Sequence, residues 1–332
     1  MPDVTVVIPT LNRWELLSTG ALPSALNQED VDLEVVVVDD GSTDETPAGL
    51  ASLEDERVRV VRHAKPQGLA RARNAGIAEA RSEWVAFLDD DDIWAPWKLR
   101  TQLDLAESTG ATFVYSPAIY VSERVVKLEP AIDPGELTPR LLAGEAIPAG
   151  GSNVLVKTEP IRQVGGFDEA ITHLGDFDCW IRLDPICRAA RCDEPLIAYI
   201  QQPSGMHLRN SRLVPADVRH LNRKYKAQYE ALGRAFDGET FVVWVANLHR
   251  GAGRYRQAGS VYLTAAWHYR SLRYLVRAGM LLPGRRARAV AKWLLRPLRG
   301  KDAGENETPP APASSYPVPA WLEPHLPEAG GS

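Results

Sequence analysis

Four consecutive aspartates at positions 89–92 directly follow an apolar run that begins at Trp84. The run contains β-branched and aromatic residues and indicates a buried strand. Adjacent carboxylates raise one another's pKa, so such a cluster is hard to keep ionised inside a protein unless a cation lies among it. All-oxygen ligands suit Mg²⁺ or Mn²⁺. The sequence therefore predicts a site for a divalent cation and a phosphate at the carboxyl end of this strand, with a solvated acidic turn as the alternative.

Apolar strand patterns alternate with helical patterns over the first 110 residues. Strands are indicated at 4–8, 33–38, 58–61 and 84–88, and the second of them also ends in acids, Asp39 and Asp40. Nearly continuous hydrophobicity in 33–38 is typical of a sheet that is covered on both faces. The alternation predicts an α/β fold with a largely parallel sheet flanked by helices. Beyond residue 210 the pattern is helical, and the proline-rich segment 301–332 is predicted to be disordered.

The net charge of −5 hides an asymmetry along the chain. Ten basic residues and no acid lie between 270 and 301: Arg270, Arg273, Arg277, Arg285, Arg286, Arg288, Lys292, Arg296, Arg299 and Lys301. With the leucines and tryptophan among them, they favour an amphipathic surface that lies on anionic lipid. The alternative is a helical subdomain that packs on protein with its arginines in water. No nucleic-acid partner is predicted.

Cysteine usage and the absence of apolar leaders bear on location. Cys179, Cys187 and Cys192 fit no common zinc or redox spacing, which favours reduced thiols in a cytosolic protein. The sequence shows no signal peptide and no run of about 18 uncharged apolar residues. We therefore expect a cytoplasmic protein, with a peripheral position at the inner face of the membrane as the refinement that the basic segment suggests.

Six short motifs occur in a consistent order between residues 3 and 210. They are Val7–Arg13, Val38–Asp44, Ala70–Gly76, Phe87–Asp92, Gly165–Glu169 and Gly175–Arg182. Each motif alone is weak, but the six in order resemble the inverting glycosyltransferases of family two, which have the GT-A fold and use nucleotide-diphosphate sugars. The resemblance implies a Rossmann-like mixed sheet flanked by helices in a catalytic domain at 1–210. A helical appendage at 211–300 and the tail at 301–332 would follow.

The resemblance also implies a donor site. In this family the loop after the first strand and the first acid after the second strand contact the base. The first acid after the second strand is Asp39, and its carboxylate fits a UDP-type donor because it can accept a hydrogen bond from the ring N–H of uracil. Asp40 is the alternative residue for this role. Arg71, with Arg73 as a second candidate, would grip the diphosphate through its planar guanidinium. The implied donor-binding residues are Pro9, Thr10, Arg13, Asp39, Arg71, Asp89 and Asp90.

A metal ion, Mg²⁺ or Mn²⁺, is implied at Asp91, where it would bridge the two phosphates. Asp90 and Asp92 would also stabilise the loop, and the register within the four aspartates is open by one position. His207 follows the last predicted strand, where relatives often carry a metal-ligating histidine, so it is the second implied ligand. Its alternative is a surface or packing residue.

The catalytic base is implied at Asp176. Family members often carry Glu-Asp at the start of the late helix, and here the pair is Gly175 and Asp176. A base is needed because the attacking hydroxyl has to lose its proton. The alternatives are that Asp176 only caps its helix, a common duty of aspartate, or that Asp178 is the base.

The expected reaction is transfer of a sugar to a carbohydrate or lipid-linked acceptor, with acceptor recognition at Gly150–Asn153 and the segment 130–150. Two other interpretations stay open. One is a noncatalytic nucleotide-sugar-binding or scaffold module, which the departure at Gly175 keeps open. The other is a nucleotidyltransferase, although residues Pro9 to Arg13 do not form the phosphate-gripping glycine loop that such an enzyme normally has.

Overall fold

The computed structural model describes residues 1–122, 126–201, 213–233, 238–251, 253–281 and 316–326. The chain divides into two compact units, Met1–Gln202 together with Ser314–Ser332, and Pro203–Ala313. The first unit is a mixed sheet flanked by helices, so the predicted α/β fold is confirmed. The predicted limits of the catalytic domain and the appendage, at 210 and 300, stay predictions.

The strands of the first unit are β1 Val4–Thr10, β2 Leu33–Asp39, β3 Val58–Arg62, β4 Trp84–Phe87, β5 Ile93–Trp94, β6 Phe113–Tyr115, β7 Ala118–Val121, β8 Val126–Glu129, β9 Leu155–Lys157, β10 Ala189–Arg191 and β11 Ile197–Ile200. Its α-helices are α1 Trp14–Leu16, α2 Leu22–Leu26, α3 Thr46–Ala51, α4 Leu69–Glu79, α5 Lys98–Thr109, α6 Leu137–Leu142, α7 Thr158–Gln163 and α8 Gly175–Leu183. A π-helical turn, Leu17–Ala21, joins α1 to α2. Short 3₁₀ turns lie at Pro134–Glu136, Gly150–Asn153, Asp184–Ile186 and Glu323–His325.

The main sheet has the strand order β10-β6-β9-β4-β1-β2-β3. Strands β4, β1, β2 and β3 run parallel, whereas β9 is antiparallel to both β4 and β6. The chain leaves β1 in one direction for β2 and β3 and then returns to place β4 on the other side of β1. Ligands in such sheets bind beyond the carboxyl ends of the strands where the order reverses. A ligand site is therefore expected in the crevice between β1 and β4.

A proline helps to open this crevice. The pairing of β1 with β4 ends at Val7 and Phe87, and Pro9 lies two residues farther along β1. On the other side β1 stays paired with β2 as far as Thr10 and Asp39. Since proline has no N–H to give to a neighbouring strand, Pro9 fits where β1 has already parted from β4.

A second sheet, in the order β5-β11-β7-β8, lies in the same unit. Residues 316–326 pack on it: Leu322 is buried among Ile119 and Val121, and the Tyr316 N–H donates to the Val126 carbonyl at 3.0 Å. The prediction of disorder throughout 301–332 is therefore wrong for residues 316–326. The aromatic and aliphatic residues between the prolines bury enough apolar surface to order this stretch. Residues 301–315 and 327–332 lie outside the described part.

The second unit is helical in its described residues. Its helices are α9 Val214–Lys224, α10 Lys226–Ala231, α11 Gly238–Gly251, α12 Tyr255–Tyr269 and α13 Leu272–Met280. Buried side chains of α12 and α13 include Val261, Tyr262, Tyr274 and Val276. In the described part of the chain, no helix is both long and apolar enough to cross a membrane.

Helix α5 carries a fully buried lysine beneath the crevice. The Lys98 Nζ donates to the Gln102 side-chain oxygen at 2.7 Å and lies 4.1 Å from the centre of the Trp94 ring. Gln102 in turn donates to the Asn153 carbonyl at 2.9 Å. Burial lowers the pKa of Lys98 from its ordinary value of 10.5 to about 7. The chain thus keeps a polar link between α5 and the turn at Gly150–Asn153.

Replacing Lys98 by Met should change how stability depends on pH. The unfolded chain binds a proton on Lys98 up to about pH 10.5 and the folded chain only up to about 7, so wild-type stability should rise with pH between these values. A tenfold difference in proton affinity corresponds to about 1.4 kcal/mol. We therefore expect the free energy of unfolding of Lys98→Met, relative to wild type, to be at least about 1 kcal/mol more favourable at pH 6 than at pH 9.

Urea denaturation at the two pH values measures this difference. The lost bond to Gln102 affects both measurements alike, so the change with pH isolates the charge. Lys127→Met is the matched control, because the Lys127 side chain is 55% exposed. A Lys98→Met difference that does not vary with pH would contradict the prediction.

Candidate functional site

The loop after β4 is bound to the loop after β1 through one aspartate. The Thr10 hydroxyl donates to Asp90 Oδ2 at 2.7 Å, and Arg13 Nη1 donates to Asp90 Oδ1 at 2.8 Å. The same Arg13 nitrogen donates to Asp91 Oδ2 at 2.7 Å. Two motifs that are about 80 residues apart therefore form one cluster at the β1–β4 crevice. Thr10 and Arg13 meet the acidic loop here, so their described bonds are to protein carboxylates.

The four aspartates alternate in exposure. Asp90 and Asp92 are buried, whereas Asp89 and Asp91 are half-buried. Burial, together with the charge of Asp91, raises the pKa of Asp90 to about 7. Burial and the charges of Asp91 and Asp89 raise the pKa of Asp92 well above its usual range. Negative charge on Asp90 and Asp92 is therefore unfavourable. The alternation in exposure favours Asp89 and Asp91 as the pair that faces a ligand.

A buried arginine on α4 joins this loop to α8. Arg73 is 2% exposed, and its Nη2 donates to Asp89 Oδ1 at 2.7 Å while its Nη1 donates to Asp176 Oδ1 at 2.6 Å. Its guanidinium carbon lies 5.0 Å from the centre of the Phe167 ring. One guanidinium thereby holds the acidic loop and the predicted base next to each other.

The structure assigns different surroundings to the two candidate arginines. The Arg71 side chain is 51% exposed, and its Nε donates to Glu169 Oε2 at 2.8 Å. Two residues on a helix point about 200° apart, so Arg71 and Arg73 lie on opposite faces of α4. Arg73 is the one that reaches Asp89, and the predicted diphosphate contact passes from Arg71 to Arg73 as a proposal.

Asp176 is fixed from a second side by a pair of glycines. Its Oδ2 accepts from the Gly151 N–H at 3.1 Å. Gly150 has φ of +51°, and a Cβ placed there would lie 2.3 Å from Asp176 Oδ2. A Cβ on Gly151 would lie 2.8 Å from Arg73 Nη2. The glycines let the backbone approach both charged groups, a contact that the sequence analysis missed, although two adjacent glycines before a strand are a signal for such an approach.

The two alternatives for Asp176 fit the geometry less well. Asp176 lies inside the first turn of α8, and no side chain caps this helix. Asp178 is fully buried, and its Oδ2 is bonded to Arg182 at 2.9 Å and 2.6 Å from Nε and Nη2. Asp176 is the acid of this helix that shares Arg73 with the acidic loop.

The two acids after β2 have different partners. Asp40 is occupied by the following loop, since its oxygens accept from the N–H groups of Gln67 and Gly68 at 2.9 Å and 2.8 Å and contact His63. Asp39 Oδ1 accepts from the Ser42 N–H at 2.8 Å. Asp39 Oδ2 is buried without a hydrogen bond among the described residues, and Arg62 Nε lies 3.3 Å from it. Asp39 therefore keeps an acceptor atom for a ligand, whereas Asp40 does not.

The donor set can be tested for its fit to a divalent cation. In the described ranges, no three His, Cys, Asp or Glu side chains converge as a ready-made metal cage. Mg²⁺ is usually held by only one or two protein carboxylates plus substrate phosphates, so a cage is not required. Burial, and after it the charge of the neighbouring aspartates, raises the pKa values of Asp90 and Asp92, and a cation nearby would favour their ionised forms. Asp89 and Asp91 fit such an ion; His207 lies outside the described residues.

Ser152 connects the glycine turn to the acidic loop. Its hydroxyl accepts from the Asp89 N–H at 3.0 Å, and its carbonyl accepts from the Trp94 indole N–H at 2.7 Å. The sequence alone predicts that Gly150–Asn153 recognises the acceptor. In the structure this turn also positions Asp89 and Asp176, so it borders both sides of the crevice.

Comparison with known proteins gives a consistent picture. Residues 5–165 match the model of glycosyl transferase family 2. The chain is 46% identical over 111 residues to the succinoglycan biosynthesis protein ExoO of Rhizobium meliloti, covering 33% of this chain and 32% of that protein. It is 31% identical over 112 residues to an Escherichia coli enzyme, UDP-Glc:alpha-D-GlcNAc-diphosphoundecaprenol beta-1,3-glucosyltransferase WfgD, covering 34% and 44%. These matches thus span less than half of either relative's length.

Solved structures share the fold at low sequence identity. The mannosyltransferase PcManGT of Pyrobaculum calidifontis, in complex with GDP-Man and Mn²⁺, superposes with a TM-score of 0.53 at 22% identity, covering 90% of this chain and 82% of that one. Residues 1–349 of S. aureus TarS, in complex with UDP-GlcNAc, give a TM-score of 0.51 at 16% identity, with 84% of each chain covered.

Substitution of Gly150 by Ala should destabilise the turn beside Asp176. The new Cβ would meet Asp176 Oδ2 and would occupy a φ of +51°, which costs a residue with a side chain about 1–3 kcal/mol. Gly175→Ala is the matched control, since the nearest atom to a Cβ there is a Phe167 carbon at 3.9 Å. Thermal unfolding of both variants checks this, and equal melting temperatures would contradict it.

Proposed function

The chain belongs to glycosyl transferase family 2 and has the GT-A fold, and we propose that it transfers a sugar from a nucleotide-diphosphate donor to an acceptor hydroxyl with inversion at the anomeric carbon. The observation that carries the proposal is the bridge from Asp89 through Arg73 to Asp176. It brings an acid suited to the donor side of the crevice within reach of an acid suited to proton removal. Inversion requires these two functions on opposite faces of one sugar.

The donor is proposed to be a UDP-type sugar. Asp39 Oδ2 is a buried acceptor atom without a hydrogen bond in the described residues, at the carboxyl end of β2. The N–H of a uracil ring can donate a hydrogen bond to such an atom. The Escherichia coli relative is named for UDP-Glc, which supports the same choice. Pro9 is proposed to border the base, because β1 parts from β4 there.

The diphosphate is proposed to lie over the acidic loop, with Arg73 and Arg13 as its cationic neighbours. Guanidinium groups suit phosphate because their N–H groups form a planar fork. Asp89 and Asp91 would hold Mg²⁺ or Mn²⁺, and the bound ion would stabilise the negative charge that develops on the leaving diphosphate. Asp90 is proposed to act through the loop, since its described bonds are to Thr10 and Arg13.

Asp176 is proposed as the general base. The acceptor oxygen attacks the anomeric carbon, the bond from that carbon to the diphosphate oxygen breaks, and the nucleoside diphosphate leaves with the electron pair. The hydroxyl proton passes to Asp176. Arg73 and the Gly151 N–H hold the carboxylate in position, so the base does not have to be oriented during the reaction.

The acceptor is proposed to be lipid-linked or part of a growing glycan. WfgD is named for a diphosphoundecaprenol acceptor and ExoO for succinoglycan biosynthesis. A cytoplasmic position at the membrane follows from the same proposal. The turn at Gly150–Asn153 is the proposed border of the acceptor side, because it touches Asp176 directly.

Asp176→Asn should abolish sugar transfer while the protein still binds its donor. Loss of a general base typically lowers kcat by about 10²–10⁴-fold. The expected result is measured as release of nucleoside diphosphate from UDP-sugars in the presence of Mn²⁺. Asp104→Asn is the control, because the Asp104 side chain is 63% exposed on α5. Wild-type turnover by Asp176→Asn would reject the assignment, and no turnover by wild type with any donor would favour a noncatalytic binding module.

UDP and Mn²⁺ together should raise the melting temperature more than either alone. A ligand present at 100 times its dissociation constant stabilises the folded state by about 2.7 kcal/mol. Asp91→Asn should remove most of this joint effect, whereas Asp44→Asn, at an exposed position, should keep it. An undiminished shift in Asp91→Asn would exclude this residue as a metal ligand.

A further inference from the structure

Four large apolar side chains stand out from α12 and α13 into solvent. Trp267 is 83% exposed, Leu272 is 58%, Leu263 is 50% and Leu275 is 49%. Leu263 and Trp267 are four residues apart on α12, and Leu272 and Leu275 are three apart on α13, so each pair shares one face of its helix. Trp267 and Leu272 adjoin the turn between the two helices. These four residues are called the apolar tip.

The apolar tip is not part of the core between α12 and α13. The opposite faces of the two helices already pack together, with Tyr262 and Tyr274 buried and their rings stacked at 6.0 Å. Val261 and Ala265 on α12 and Ala278 on α13 are buried on those inner faces as well. The apolar tip therefore lies on the outside of a hairpin that is already packed, where exposed apolar patches mark interaction sites.

The positive charge of the surrounding sequence indicates that the partner of the apolar tip is anionic. Between Thr240 and Lys301 there is no aspartate or glutamate, and three further arginines, Arg250, Arg254 and Arg256, join the ten basic residues counted from Arg270 onward. Arg270 lies in the turn itself, and Arg270 and Arg273 are exposed beside Trp267 and Leu272. Indole and leucine side chains framed by arginines suit the boundary between lipid headgroups and acyl chains.

We propose that the apolar tip docks on an anionic phospholipid bilayer, with Trp267 at the headgroup boundary and Arg270 and Arg273 on the lipid phosphates. The proposal adds residues of α12 to the predicted membrane contact at 270–301, of which residues 282–301 lie outside the described part of the chain. A bilayer is favoured over an acidic protein because the patch adjoins the turn at Arg270, and apolar side chains flanked by exposed arginines can enter a lipid surface without a complementary groove. The inference does not depend on the identity of donor or base.

The test uses the full chain and sedimentation with lipid vesicles. Wild type should co-sediment with vesicles of equal parts phosphatidylglycerol and phosphatidylcholine, and at least about fivefold less with phosphatidylcholine alone, because the basic residues respond to lipid charge. Leu263→Ser with Trp267→Ser should reduce binding to the anionic vesicles by about fivefold or more, since the apolar contact is lost. Arg270→Gln should weaken binding more at low salt than at high salt.

Ile186→Ser is the matched control, because Ile186 is an apolar residue of the first unit that is 44% exposed. It should bind vesicles like wild type. The proposal is overturned if wild type binds neither vesicle, if it binds both equally, or if Ile186→Ser loses as much binding as the double variant. It is also overturned if wild type is a dimer that the double variant dissociates, since a second copy would then cover the tip.

Nucleoside diphosphate release without vesicles is measured on the same samples. The double variant should release as much as wild type, which separates docking from catalysis. If vesicle binding fails while release is normal, the docking proposal is wrong and the proposed function stands. If release fails in wild type while vesicle binding is normal, the reverse holds.

Discussion

The site depends on the two ion pairs made by one buried guanidinium, that of Arg73. It binds Asp89 from the loop after β4 and Asp176 from α8, at 2.7 Å and 2.6 Å. A buried charge is strongly destabilising when it loses its partner, so the buried Arg73 depends on the two partly exposed carboxylates. The distance between the two carboxylates is therefore set by one planar side chain, and the loop and the helix cannot move independently.

The central strands were predictable because their local pattern and their packing agree. β1 and β2 are buried along their whole length, which is why 4–8 and 33–38 carry so few polar residues. Parallel strands end at one edge of a sheet, so acids after β2 and β4 had to approach each other. The register of Thr10 beside Asp39 and the bond from Thr10 to Asp90 follow from this arrangement. The long-range placement of Asp176 did not follow from any local pattern.

The hydrophobic pattern of α4 does not show which of Arg71 and Arg73 points inward, because the helix is rich in alanine and has no clear apolar stripe. Gly76 shows which face of the helix is buried. A Cβ at Gly76 would lie 2.2 Å from Val7 Cγ1, so this face of α4 has to rest on β1. Arg73 is three residues earlier and shares that face, whereas Arg71 does not. A glycine within a helix was the sequence signal for the inward arginine.

The charges at the crevice support the proposal that a diphosphate and a cation bind there together. In the described residues the two arginines Arg13 and Arg73 pair with four carboxylates, those of Asp89, Asp90, Asp91 and Asp176, so acids outnumber bases in this cluster. Burial raises the pKa values of Asp90 and Asp92, and the charges of the neighbouring aspartates raise them further. A diphosphate alone would add to the repulsion, whereas a diphosphate that brings a divalent cation would reduce it. In the proposed reaction the acidic loop would thus disfavour the bare anion and favour its metal complex, which is the form that the donor would have to take.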